Sequence, residues 1–134
     1  MMDIVLIDTS VWINYLKKFD TLATGYLENQ MEQMIIATCP TILQEVLQGV
    51  LIDSDYQSIK SYFDGLLILN NDPYQLAVEA AQLYRSLRKN GVTIRKPNDC
   101  LIAAYAIKNN VPLLHEDRDF SHIAMHNNLR VIKP

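Results

Sequence analysis

Four short, unbroken apolar runs punctuate the chain: Ile4–Ile7, Met34–Ala37, Leu66–Leu69 and Val111–Leu114. Each is too short for a helix, and longer stretches of helical period lie between them. An uninterrupted apolar strand has no polar side to turn to water, so it suits a sheet covered on both faces. Strands separated by helices can pair in parallel. The expected fold is therefore α/β: a mainly parallel central sheet of four to five strands, flanked by helices in an α/β/α sandwich. Arg130–Ile132 offers an additional edge strand.

The intervening segments support this. Leu76, Ala80, Leu83, Tyr84 and Leu87 form one apolar stripe, predicting a helix from about Pro73 to Asn90 that Gly91 closes in the left-handed conformation. Leu22, Ala23, Tyr26, Leu27 and Met31 form a similar stripe. From Pro97 to Lys108, nearly every residue after Asn98-Asp99 is apolar, so this helix is expected to run through the interior. No linker, repeat or charge block divides the chain, and 134 residues suffice for a core without disulfide staples, so residues 1–134 read as one domain. Cys39 and Cys100 stand 61 positions apart in no ligand or redox spacing and read as buried, reduced thiols. The longest apolar run, Cys100 to Ile107, has eight residues, and the first residues lack a basic leader, so a cytoplasmic protein without membrane association is expected.

In an open parallel sheet, function gathers beyond the carboxyl ends of the strands. Asp8-Thr9-Ser10 follows the first run directly, and Thr38 to Thr41 follows the second, with Glu45 about one turn into the next helix. His115-Glu116-Asp117-Arg118-Asp119 follows the last, and Asp99 heads the interior helix leading into it. Asp8, Asp99 and Asp117 also read as helix caps, and Glu45 as part of a solvated helix face. Convergence separates the readings: four or five carboxylates on one rim repel each other unless cations neutralise them. Oxygen-only donors suit Mg²⁺ or Mn²⁺, which support hydrolysis of a phosphodiester.

The order and spacing of Asp8-Thr9-Ser10, Glu45, the run from Lys96 to Ala106 around Asp99, and Leu114 to Phe120 resemble the PIN domain. More narrowly, they resemble the VapC-type toxins of bacterial toxin–antitoxin pairs. The resemblance implies that Asp8, Glu45, Asp99 and Asp117 hold a divalent metal, with Asp119 as a further candidate in the fourth motif and Thr9 or Ser10 supporting the site. It also implies an Mg²⁺- or Mn²⁺-dependent endoribonuclease, a homodimer, a VapB-type antitoxin partner, and transfer or ribosomal RNA as substrate. His115 stands where many relatives carry Thr or Ser.

Net charge is −3, but residues 85–96 carry +5 from Arg85, Arg88, Lys89, Arg95 and Lys96, leaving −8 for the remainder. Arg88 and Lys89 suit the last turn of a helix; Arg95 and Lys96 lie beyond Gly91, beside Asp99, and the five together are candidate RNA contacts. His122 and His126 have i, i+4 spacing but no His-Glu-x-x-His motif, and the four glycines form no phosphate loop. Trp12 and Tyr15 suit packing, with stacking on a base as the alternative. Two other functions stay open. A metal-dependent phosphatase of the haloacid-dehalogenase type would want an acid where Ser10 stands; a non-catalytic binding module would not need the acids.

Overall fold

A computed structural model describes residues 2–134. The strands are β1 (Asp3–Ile7), β2 (Met34–Thr38), β3 (Leu67–Ile68) and β4 (Leu113–Leu114). The helices are α1 (Thr9–Leu16), α2 (Leu22–Gln30), α3 (Pro40–Gln48), α4 (Asp53–Asp64), α5 (Pro73–Lys89), α6 (Pro97–Lys108) and α7 (Arg118–His126), and a single 3₁₀ turn spans Met31–Gln33. The strands lie in the order β3-β2-β1-β4, and every pair is parallel.

That order positions the site. From β1 the chain steps outward to β2 and then β3, and only then crosses to the other side of β1 to form β4. Right-handed crossovers in opposite directions place their helices on opposite faces of the sheet. The direction in which strands are added reverses between β1 and β4, and loops leaving such neighbours part to open a crevice at the carboxyl edge.

The sequence-level elements recur with local differences. Helix α5 carries the expected stripe, with Leu76, Ala80 and Leu87 buried and Leu83 and Tyr84 half-buried. It ends at Asn90, and Gly91 adopts φ +81°. Helix α6 runs through the interior as expected, burying Cys100 and the whole stretch from Ile102 to Ala106. Both cysteines are buried and free, and burial pushes the Cys39 thiol up to about 12.

Two apolar runs are less covered than their composition suggests. Leu67 and Ile68 are exposed because β3 is a two-residue strand at the sheet edge. Ile35 is exposed because cover improves toward the carboxyl ends of β1 and β2, where the last three residues of each are buried. Arg130–Ile132 contributes one parallel bridge, Val131 to Leu113, rather than a full strand. Among the described residues, no helix is long and apolar enough to cross a membrane.

Candidate metal centre

Ile7, the last residue of β1, is in register with Leu114, the last of β4. The Asp8 N–H donates to the Leu114 carbonyl at 2.9 Å, which fixes Asp8 on the seam where the sheet changes direction. Asp8 caps α1: its Oδ2 accepts from the Ser10 N–H at 3.0 Å and from the Ser10 hydroxyl at 2.6 Å. Capping therefore explains one oxygen only. The other, Oδ1, is buried without a hydrogen-bond partner.

Glu45, on α3, is half-buried rather than solvated, and its Oε1 accepts from the Thr9 hydroxyl at 2.7 Å. Asp99 is not a cap at all. Lys96 occupies the N-cap position of α6, which puts Asp99 in the first turn, with Oδ2 buried and unpartnered. Asp117 caps α7, accepting from the Asp119 N–H at 2.9 Å. Asp99, Asp117 and Asp119 each offer an oxygen within 4.8 Å of the others. The fourth motif thus brings both of its acids to the cluster, Asp119 buried and Asp117 half-buried.

Crowding shows in the proton affinities. Burial, followed by the charges of Asp8, Asp117 and Asp119, outweighs the nearby Lys96 ammonium and raises the Asp99 carboxyl to about 7. Asp8 is raised by burial and by Glu45, against the Ser10 hydrogen bonds. For Asp117, burial is overcome by the Lys96 ammonium, the Asp119 N–H and Arg95, and its carboxyl falls below the usual range. Buried, unpartnered carboxylate oxygens among like charges are unfavourable unless a cation takes them. Oxygen donors of this kind fit Mg²⁺ or Mn²⁺.

Residues 5–125 match the PIN domain family. This chain is a PIN domain. Over 128 residues it is 38% identical to the VapC ribonuclease Mb1587 of Mycobacterium bovis and to the ribonuclease VapC11 of Mycobacterium tuberculosis, covering 94% of this chain and 96% of each relative. It shares its fold with VapBC2 from Rickettsia felis, solved bound to a DNA fragment from their promoter, with a TM-score of 0.73 and 21% identity over 96% of this chain and 97% of that one.

In this PIN domain the two hydroxyls after β1 divide the supporting role, Thr9 serving Glu45 and Ser10 serving Asp8. Ser10 does more: its Oγ also accepts the Glu116 N–H at 3.1 Å, joining the loop after β1 to the loop after β4. The Glu116 carboxylate accepts from the Asn14 amide and the Thr21 hydroxyl, which ties the second loop to α1 and to the start of α2. Sequence reasoning missed Glu116, Asn14 and Thr21; the signal available was an acid beside Asp117 that the acid pattern leaves without a role. Ser10→Ala is expected to lower metal affinity by about 10–100-fold, the usual cost of losing a group that orients a ligand. Mn²⁺ titration followed by calorimetry checks this, with unchanged affinity counting against the role.

The basic residues separate into two groups. Lys96 Nζ lies 2.7 Å from Asp117 Oδ2, and Arg95 reaches Asp117 Oδ1 at 3.3 Å and Asp119 Oδ2 at 3.5 Å. Arg85 borders a hollow with Pro97 and Asn98 at the start of α6. Arg88 and Lys89 sit in the last turn of α5, with the Arg88 guanidinium 5.7 Å from the centre of the Tyr84 ring. His115 packs against Phe120 with ring centres 5.3 Å apart, and burial lowers its pKa, keeping it neutral. His122 and His126 are exposed on α7, and no histidine joins the acid cluster among the described residues.

Proposed function

We propose that this PIN domain, across residues 1–134, is a metal-dependent endoribonuclease acting as the toxin of a type II toxin–antitoxin pair. The single observation that carries the reading is the pair of buried, unpartnered oxygens, Asp8 Oδ1 and Asp99 Oδ2, in a rim of like charges at the sheet's switch point. Asp8, Glu45, Asp99 and Asp117 would hold Mg²⁺ or Mn²⁺, with Asp119 beside them. When bound, such an ion stabilises charge on a phosphodiester and makes water a competent nucleophile near neutral pH.

The chain's own residues do the rest. Ser10 fixes the rotamer of Asp8, and Thr9 fixes that of Glu45, so carboxylate geometry is set before any ion arrives. His115 and the aromatic ring of Phe120, which flank Asp117 in sequence, pack together. Arg85, Arg88, Lys89, Arg95 and Lys96 supply phosphate contacts that orient RNA without reading its bases. The relatives named VapC ribonuclease support RNA as the substrate, and the fold shared with a VapBC complex supports a VapB-type antitoxin as the partner; transfer or ribosomal RNA, a homodimer and a cytoplasmic location complete the reading.

The test is incubation of purified protein with total transfer RNA and with ribosomal RNA, in Mg²⁺, in Mn²⁺ and in chelator. Internal cleavage is expected only with metal, and Asp8→Asn is expected to lose at least about 10²-fold. Cleavage in chelator, or an Asp8→Asn variant as active as the parent, would remove the reading. Turnover of small phosphomonoesters in place of RNA would redirect it to a phosphatase.

A further inference from the structure

Lys96 and Arg95 were expected to face RNA, yet both rest on the acids. Three features give this arrangement a function. Each side chain remains 58% exposed, so it is held at its charged tip while the rest is free to move. The backbone beneath has hydrogen bonds of its own: the Arg95 N–H donates to Asp119 Oδ2 at 3.3 Å, and the Lys96 carbonyl accepts the Asp99 N–H at 2.9 Å. As the N-cap of α6, Lys96 makes no side-chain capping bond, so its side chain can leave Asp117 without disturbing the helix.

The two cations also cover only one side of the cluster. They engage Asp117 and Asp119, and leave Asp8 Oδ1 and Asp99 Oδ2 without partners. An incoming ion therefore meets open donors on Asp8 and Asp99 and occupied ones on Asp117 and Asp119.

We propose that Lys96, assisted by Arg95, is a tethered counter-cation that a divalent ion must displace from Asp117, and that the displaced ammonium then serves as a phosphate contact for RNA. The inference rests on the metal-dependent nuclease reading. Its logic is electrostatic: the ammonium stabilises the empty cluster, competes with the ion for one carboxylate, and once evicted stands at the mouth of the site, where a phosphodiester is its nearest anion. Metal affinity is thereby held down until substrate is present, because RNA gives the evicted cation a new partner. By linkage, RNA tightens metal binding by the same factor that metal tightens RNA binding.

Calorimetric titration of Mn²⁺ into the metal-free parent, Lys96→Gln and Lys60→Gln separates competition from bulk charge. Lys60 pairs with Asp64 on α4, away from Asp8, Glu45, Asp99, Asp117 and Asp119 in the ion pairs it makes. Lys96→Gln is expected to bind Mn²⁺ about 2–5-fold more tightly, the scale of one exposed ion pair, while Lys60→Gln binds as the parent does. Metal-free Lys96→Gln should also melt below the parent, which a merely repulsive lysine would not cause. In cleavage assays it should reach half-maximal rate at lower Mn²⁺ but show a higher KM for RNA. Parent-like Mn²⁺ affinity, or an unchanged metal-free midpoint, overturns the proposal alone. Absence of Mn²⁺ binding in both parent and variant overturns the metal reading with it.

Discussion

Asp99→Asn is expected to abolish RNA cleavage, by about 10²–10³-fold or more, and at the same time to raise the thermal midpoint of the metal-free protein. The opposed signs follow from the geometry. Asp99 is buried, has one unpartnered oxygen, and faces the charges of Asp8, Asp117 and Asp119. Its folded pKa of about 7 lies well above the ordinary value of 3.8, so between those values the folded protein binds more protons than the unfolded chain. Stability is then lost as pH rises from about 4 to about 7, and the full penalty persists above that range. A neutral amide carries no such penalty. At pH 8 in chelator the variant should melt roughly 5 °C above the parent, and the gap should close on acidification toward pH 4. Adding Mn²⁺ should reverse the order, since only the parent gains ligand stabilisation. Paired melting curves with and without Mn²⁺ check this. A variant that melts well below the parent in chelator would make Asp99 a structural residue and remove it from the site.

Trp12→Ala should have the largest effect on stability. The indole is fully buried, 4.9 Å from the Phe63 ring and 6.0 Å from those of Tyr62 and Tyr15, measured between centres. It therefore joins α1, which begins just after Asp8, to the end of α4. Emptying that space costs about 3–5 kcal/mol, a large part of the roughly 5–15 kcal/mol that holds a domain folded. A fall in midpoint of roughly 10–20 °C is expected. Trp12→Phe should recover most of it, because the indole N–H has no hydrogen-bond partner to lose. A midpoint unchanged in Trp12→Ala, with RNA binding lost, would instead identify the indole as a stacking surface for a base.

The architecture was legible because its signals are local. Four apolar runs and the stripe of α5 identify their elements by periodicity, and Gly91 marks its turn by a backbone angle other residues avoid. Helix α4 gave no comparable signal, since only Phe63 is fully buried along it. The acids were legible as a set, but their individual duties were not. Capping uses one oxygen of the Asp8 carboxylate and leaves the other buried without a partner, so the two readings that compete on paper do not exclude each other in the fold. Asp99 looked like another cap because it precedes an apolar run, although the helix expected from Pro97 already places it within the first turn, where the structure has it. Arg95 and Lys96 show the same limit. Their charge and neighbourhood were plain, yet the partners they rest on lie more than twenty positions away, across a fold whose loop trajectories no periodicity encodes. Glu116 was passed over for that reason as well: its partners, Asn14 and Thr21, are about a hundred positions upstream.

The pairing of β1 with β4 also sets when the acid cluster can assemble. Leu6 meets Leu113 across 107 positions of chain, a closure that costs more chain entropy than the nearer pairing of β1 with β2. Until it forms, Asp8 has no Leu114 carbonyl to anchor it, and Asp117 and Asp119 have no fixed place. A chain emerging from the ribosome thus presents β1, β2 and β3 before the acids that follow β4 have been made. Until residues 117–119 are added, the acid cluster cannot close.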